Sequence, residues 1–75
     1  MSRKNLKQFL RDKRKEVGDT QFQAATKIGV QAPIYSRWEL GAEPSVKYLA
    51  EIQKYLEIDD DELAIALLLT KRANI

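Results

Sequence analysis

The sequence predicts a compact all-α domain of five short helices. Along most of the 75-residue chain, apolar residues recur three and four positions apart, which is the spacing of one face of an α-helix. No alternating run of β-branched residues is long enough for a convincing strand, and glycine or proline separates the periodic segments. Because no Gly/Ser/Pro-rich linker divides the chain, residues 1–75 are expected to form one domain.

Two helices are expected in the first thirty residues. Ser2 is the candidate N-terminal cap of the first helix, and Gly18 is its stop signal. The apolar stripe of this helix consists of Leu6, Phe9 and Leu10. The second helix opens with the capping-box pattern "TQFQ" at residues 20–23 and ends at Gly29 after about eight residues.

Three more helices complete the prediction. The third runs from about Ala32 to Leu40, and Pro44 and Ser45 start the fourth. The stripe of the fourth helix consists of Leu49, Ile52 and Leu56. Asp59 is expected to cap the fifth helix, whose inward face consists of Leu63, Ala66, Leu67 and Thr70.

Composition argues against most enzyme and cofactor chemistry. The chain has no His and no Cys, which removes the usual zinc sites, cysteine nucleophiles and Ser-His pairs. The acidic run Asp59–Glu62 has two interpretations, a metal site or a helix N-terminus. The helix N-terminus is favoured, because metal ligands must converge on one centre whereas a first helical turn simply attracts negative charge. We therefore expect neither an enzyme nor a bound cofactor.

The lack of a long apolar segment predicts a cytoplasmic protein, and the uneven charge distribution raises the question of a polyanionic partner. The N-terminal segment is basic rather than apolar, and no stretch approaches the ~20 apolar residues of a membrane span. Residues 1–16 contain seven Lys/Arg and two acids, giving +5, whereas residues 39–62 contain two Lys and eight acids, giving −6. This polarity fits a basic face turned toward a polyanion, and it equally fits two solvated helix faces of opposite sign.

The most informative stretch is "QFQAATKIGVQAPIYSRWEL", residues 21–40. Two helices that cross steeply over a short turn need a small residue where they approach, which Ala25 provides. They also need a residue tolerant of positive φ four positions later, which Gly29 provides. The residues that then fall on inward positions are Ala24, Ile28, Val30, Tyr35 and Trp38.

With these residues in place, the sequence resembles the helix-turn-helix of phage Cro proteins and phage repressors. The likeness runs from about Leu6 to Leu63 and is strongest in "TQFQAATKIGV" and "IYSRWELGAEPS". It implies a lambda-repressor-like domain that binds double-stranded DNA, in a bacterial cell or a phage-infected host. It also implies an ion pair between Arg14 and Glu39 that fixes the first helix against the third.

In this motif the N-terminal part of the third helix faces base edges in the major groove. The resemblance therefore places on the DNA side Gln31, Ala32, Pro33, Ser36 and Arg37. Arg37 is the best candidate reader because a guanidinium can bond guanine O6 and N7 together; a phosphate contact or a solvated charge is its alternative role. Pro33 is compatible with the first helical turn, where its missing N–H breaks no helical bond.

Phosphate contacts are expected mainly at helix N-termini. The candidates are Gln21 and Ser45, together with Lys27 on the outer side of the second helix. The sequence departs from its relatives at Asp19, which replaces a commonly apolar residue, and Val17 is expected to fill that gap. The loop after Gly41 is also short and acidic, which argues against a phosphate contact from it.

A homodimer is expected, because one helix-turn-helix covers only a half-site. The fifth helix, about residues 60–72, carries more apolar residues than one core-facing stripe needs, and its candidate interface consists of Ile65, Leu68 and Leu69. The alternative is that these three residues close the domain's own core, and the interface is favoured. The resulting interpretation is a small Cro-like regulator or repressor that binds a pseudo-palindromic operator. Two alternatives stay open: an antitoxin-type regulator that also binds a toxin protein, and a protein-interaction module without DNA binding.

Overall fold

The computed structural model describes residues 3–73, which form five α-helices. The helices are α1 (Leu6–Val17), α2 (Gln21–Ile28), α3 (Ala32–Glu39), α4 (Leu49–Leu56) and α5 (Asp60–Ala73). This part of the chain contains no strand, and the predicted five-helix all-α architecture is confirmed. None of the helices in residues 3–73 has the length and apolar character needed to cross a bilayer.

Reciprocal capping boxes start the first two helices. At α2, the Thr20 hydroxyl accepts the Gln23 N–H at 3.1 Å and the Gln23 side chain accepts the Thr20 N–H at 2.8 Å, as the sequence predicts. At α1 the cap is Asn5, which exchanges the same pair of bonds with Gln8. The prediction of a Ser2 cap was therefore wrong, and Ser2 itself lies outside the described residues. Asn5 serves because its carboxamide stands directly before the first helical residue and three positions before a glutamine.

One core joins the first four helices. Its buried side chains come from the inward face of each helix and are Leu6, Leu10, Ala24, Ala25, Ile28, Tyr35, Trp38, Ile52 and Leu56. The Trp38 ring lies between two tyrosines, with ring centroids 6.1 Å from Tyr35 and 5.7 Å from Tyr48. The third helix therefore rests on the others through its aromatic residues, leaving its opposite side to solvent.

The segment after α3 differs from the sequence prediction. Pro44 and Ser45 do not start α4, because a 3-10 turn over Val46–Tyr48 comes first and α4 begins at Leu49. In this turn the Tyr48 N–H donates to the Ser45 carbonyl oxygen at 3.0 Å. We attribute the tighter turn to the packing of Tyr48 on Trp38, which draws the chain toward α3 before α4 starts.

The fifth helix starts as predicted and packs against α1. Asp59 accepts the Glu62 N–H at 2.8 Å while the Glu62 carboxylate faces the Asp59 N–H at 3.4 Å, a capping arrangement at a helix N-terminus. Near the other end, the buried Thr70 hydroxyl accepts the Leu6 N–H at 3.0 Å and donates to the Ala66 carbonyl oxygen at 2.8 Å. Thr70 thus satisfies a backbone donor that the first turn of α1 would otherwise leave unpaired.

Candidate nucleic-acid interface

The turn between α2 and α3 is built on Ala25 and Gly29. Gly29 has a φ of 99°, in the left-handed region that favours glycine. The Ala25 carbonyl oxygen accepts both the Gly29 N–H at 2.8 Å and the Val30 N–H at 3.0 Å, which ends α2. Only three residues then separate the two helices. Ala25 is almost fully buried, consistent with its expected place at the closest approach of the helices.

The inward face of α3 contains a buried carboxylate with several polar partners. The Glu39 side chain is 3% exposed and accepts hydrogen bonds from Arg14 Nε at 2.7 Å and Arg14 Nη2 at 3.0 Å. The Gln21 side-chain amide donates to the same carboxylate at 3.2 Å. Arg11 adds a hydrogen bond to the Glu39 carbonyl oxygen at 3.3 Å. The carboxylate therefore links α1, the start of α2 and the end of α3.

These partners determine the ionisation of Glu39. Burial alone would raise its pKa, but hydrogen bonds from Arg14, Tyr35 and Gln21 outweigh that penalty and hold the pKa below the ordinary value of 4.5. The same carboxylate raises the pKa of the Arg14 guanidinium. Burial, reinforced by Glu39, raises the pKa of the Tyr35 hydroxyl. A neutral Tyr35 beside a charged Arg14–Glu39 pair is thus the stable state at neutral pH.

The outward face of α3 is polar but has few intramolecular partners. Gln31, Pro33 and Arg37 are exposed, while Ala32 and Ser36 are half-buried. Gln31 occupies the N-cap position of α3 and makes no side-chain capping bond. Within residues 3–73, Arg37 forms neither an ion pair nor a side-chain hydrogen bond. The role of these five residues in reading DNA stays a prediction.

Two of the three expected phosphate contacts are engaged inside the protein. The Gln21 amide is bonded to Glu39, and the Lys27 ammonium lies 2.9 and 2.8 Å from the two Asp19 carboxylate oxygens. Ser45 is exposed and makes no side-chain capping bond, but it precedes the 3-10 turn rather than α4. The prediction that Ser45 lies at the N-terminus of the fourth helix was therefore wrong.

The Asp19 side chain itself packs at the α1–α2 turn, where an apolar residue was expected. Its side chain is 9% exposed and accepts a hydrogen bond from the Tyr55 hydroxyl of α4 at 2.9 Å in addition to the Lys27 pair. The Lys27 hydrogen bond, with help from Tyr55, lowers the pKa of Asp19 despite burial. Burial, and then Asp19, raises the pKa of Tyr55. The expectation that Val17 fills this gap was wrong, because Val17 is exposed.

Much of the basic charge on α1 is also offset internally. Lys13 pairs with Glu57 and Arg14 pairs with Glu39, two acids outside residues 1–16, whereas the pair of Lys4 with Asp12 at 2.7 Å is already included in that segment's net charge. The hydrogen bond from Lys13 holds the pKa of Glu57 below its ordinary value. The excess of +5 over residues 1–16 therefore overstates the field that α1 presents to a polyanion.

The fifth helix presents apolar residues on two sides. Leu63, Ala66 and Thr70 are buried against the domain, and Leu67 is packed at the edge of the core. Ile65 is 40% exposed and Leu68 is 48% exposed, whereas Leu69 is half-buried. The candidate dimer interface is thus partly open to solvent.

Sequence reasoning missed several members of these clusters. Arg11 lies three residues before Arg14, and residues at this spacing share one face of a helix, so the sequence did indicate that Arg11 would lie near Glu39 if Arg14 does. Asp19, Lys27 and Tyr55 come from three different elements, and nothing in their spacing indicated that they would meet. The hydrogen bond from Gln21 to Glu39 gave no sequence signal either.

Comparison with known proteins gives the family. A sequence model described as helix-turn-helix matches residues 10–63, well over half of the chain. No individual curated protein and no solved structure matches the chain. The chain therefore belongs to the helix-turn-helix family of the Cro and phage-repressor type, a family of DNA-binding regulators.

Proposed function

We propose that this protein is a sequence-specific transcription regulator that binds a pseudo-palindromic operator as a homodimer. The observation that carries the proposal is the division of α3 into two faces. Its aromatic and acidic residues are buried, while Gln31, Pro33 and Arg37 face solvent. In this family, the exposed N-terminal part of the second motif helix enters the major groove.

Each outward residue has a distinct chemistry toward base edges. Arg37, with no intramolecular ion pair in residues 3–73, presents a guanidinium that can bond guanine O6 and N7 together. Gln31 can bond an adenine edge, and its side chain is not occupied by capping. Ala32 and Pro33 offer apolar contact to thymine methyl groups, and Ser36 can bond a base or a phosphate.

Backbone contacts are proposed to come from the start of α2. The Thr20–Gln23 capping box uses the N–H groups of Thr20 and Gln23, leaving those of the intervening first turn for a phosphate. The Gln21 amide nitrogen is bonded to Glu39, so Gln21 would act chiefly through its backbone N–H. Lys27 and Ser45 stay candidates; for Lys27 the ion pair with Asp19 competes with phosphate.

Regulation is proposed to act by occupancy of the operator. Two protomers related by a two-fold axis would place their α3 helices about 34 Å apart on one side of the duplex. The exposed apolar residues of α5, Ile65 and Leu68 with the half-buried Leu69, are the proposed contact between protomers. A bound dimer would then block or adjust transcription from an overlapping promoter.

The dimer proposal is tested by sedimentation at high micromolar concentration. Wild-type protein is expected to sediment as a dimer, and Leu68→Glu as a folded monomer, because a charge at the interface would be left without a partner. Val17→Glu is the matched control, since Val17 is similarly exposed but lies at the end of α1. A wild-type monomer, or a dimer unaffected by Leu68→Glu, would remove α5 as the interface.

DNA binding itself is tested by titrating random duplex DNA at two salt concentrations. Because several phosphates would release counterions, the logarithm of the association constant should fall steeply with the logarithm of salt. Circular dichroism on the same sample verifies that the protein is folded. A folded protein that binds no duplex at about 50 mM salt would contradict the proposal and favour a protein-interaction module.

A further inference from the structure

A largely buried carboxylate, that of Asp19, lies beside the start of α2. Asp19 directly precedes Thr20, the cap of α2, and its side chain is 9% exposed. Both of its carboxylate oxygens lie within hydrogen-bond distance of the Lys27 ammonium, at 2.9 and 2.8 Å. The Tyr55 hydroxyl donates to one of them at 2.9 Å. The carboxylate is therefore charged and fully occupied by two donors from α2 and α4.

The ion pair places the Lys27 ammonium next to the proposed phosphate site, and the Asp19 carboxylate neutralises the charge of that ammonium. Lys27 belongs to the last turn of α2, yet its ammonium reaches back eight residues to Asp19, near the N-terminus of the same helix. The Lys27 side chain remains 54% exposed, so its charge is accessible to a phosphate. A phosphate at this place would have to compete with a carboxylate that is already bound to both donors.

We propose that Asp19 limits the DNA affinity of this protein by holding Lys27 in an ion pair beside the N-terminus of α2. The inference rests on the proposed DNA-binding function. In this role the Asp19 carboxylate binds the Lys27 ammonium in place of a DNA phosphate, so that the DNA-binding surface has one fewer available cation. Because the subtracted contact is with the phosphate backbone, its loss affects all sequences alike and leaves base preference to α3.

A purely structural role of Asp19 makes a different prediction. The bond to Tyr55 connects the α1–α2 turn to α4, so Asp19 could serve only to join these elements. In that case, replacing the carboxylate by a carboxamide would change stability but not the number of phosphates neutralised. The salt dependence of DNA binding separates the two roles, because its slope counts neutralised phosphates.

The test compares wild-type protein with Asp19→Asn. Asparagine keeps an acceptor for the Tyr55 hydroxyl but removes the charge that holds Lys27. The slope of log association constant against log salt should become steeper by about 0.9 per protomer, as expected for one more phosphate contact. At about 0.1 M salt, affinity for random duplex should rise about 5- to 10-fold per protomer. An unchanged slope in a folded Asp19→Asn variant would overturn the inference.

The matched control is Glu57→Gln, which makes the same change in net charge and removes the nearer carboxylate partner of Lys13, leaving Glu16 at 3.8 Å from the ammonium. The cleft around Lys13 is lined by residues of the N-terminal segment, α1 and the α4–α5 junction, and by none of α2 or α3. The salt slope of this variant should therefore match that of wild type. An equal steepening in both variants would mean that only net charge matters, which would also overturn the inference.

A second variant assigns the gained contact to Lys27. Adding Lys27→Met to Asp19→Asn should bring the salt slope back to the wild-type value, because the released cation is then absent. A slope that stays steep would show that Lys27 is not the contact. If wild-type protein itself binds no duplex, the proposed function fails; if wild type binds and only these variants disagree, the inference about Asp19 fails alone.

Discussion

The two faces of α3 differ in how their polar groups are satisfied. Inward, Glu39 is nearly fully buried and accepts hydrogen bonds from Arg14 and Gln21. Outward, Arg37 is exposed and has no ion pair within residues 3–73. Both residues lie within one turn of the same helix. The Glu39 carboxylate is hydrogen-bonded inside the protein, whereas the N–H groups of the Arg37 guanidinium are available to an external acceptor.

This difference separates residues that maintain the fold from residues available to a ligand. A buried charge must be paired inside the protein, because desolvation makes an unpaired one very costly. An exposed guanidinium carries no such requirement and can bind an external acceptor without breaking an internal contact. Changes at Glu39 should therefore act on stability, whereas changes at Arg37 should act on DNA binding.

The largest effect is expected from Glu39→Ala. Removing the carboxylate leaves the partly buried Arg14 without its ion-pair partner, and unfolding free energy should fall by ~3 kcal/mol in denaturant melts. The control is Glu43→Ala, in the exposed loop after α3, which should change stability by no more than about 0.5 kcal/mol. A fall of less than ~1 kcal/mol in the unfolding free energy of Glu39→Ala would contradict the claim that the inward face of α3 maintains the fold.

A smaller effect, on DNA binding rather than on stability, is expected from Arg37→Ala. Discrimination should decline by about 1–3 kcal/mol at one base pair of each half-site, while unfolding free energy stays within about 0.5 kcal/mol of wild type. Arg37→Lys keeps the charge but loses the bidentate fork, so it should recover general affinity better than base preference. Uniform weakening across all duplexes would instead assign Arg37 to phosphate.

The smallest effect is expected from mild acid. The pKa of Glu39 lies below its ordinary value of 4.5 in the folded protein, so the unfolded chain takes up a proton at a higher pH than the folded one. The stability that Glu39 contributes is therefore complete above its ordinary pKa and is lost as pH falls through the folded pKa.

Unfolding free energies measured between about pH 6 and pH 3 test this linkage. Glu39→Gln should show a shallower decline than wild type, because glutamine does not titrate. Arg37→Ala should follow the wild-type curve, because Arg37 lies on the other face of α3 and does not contact Glu39. Identical declines in wild type and Glu39→Gln would mean that Glu39 does not contribute to acid sensitivity.

Helix positions were predictable because their signals are local. Capping boxes, apolar periodicity and Gly29 act within a few residues, so α2 and the turn into α3 followed from the sequence. The start of α4 did not, which we attribute to the packing of Tyr48 against Trp38, a contact across ten positions that no local signal indicates. The cap of α1 was a local feature too, but Asn5 was overlooked in favour of Ser2.

The candidate site was predictable only in outline. Resemblance to a family gave the outward positions of α3 and the residues Arg14 and Glu39. It marked Asp19 as a departure from a commonly apolar residue, but it did not indicate that Asp19 forms an ion pair with Lys27. Such a replacement requires partners from two other elements, and the side-chain geometry that unites them exists only in the folded chain.

Selection of bound duplexes from a random pool, followed by sequencing, tests the central claim most directly. We predict enrichment of a symmetric motif whose half-sites are separated by about one helical turn, about 10 base pairs, or a multiple of it. Arg37→Ala should weaken the preference at one position in each half-site of that motif. A pool that shows no enriched sequence after selection with folded protein would contradict sequence-specific binding through α3.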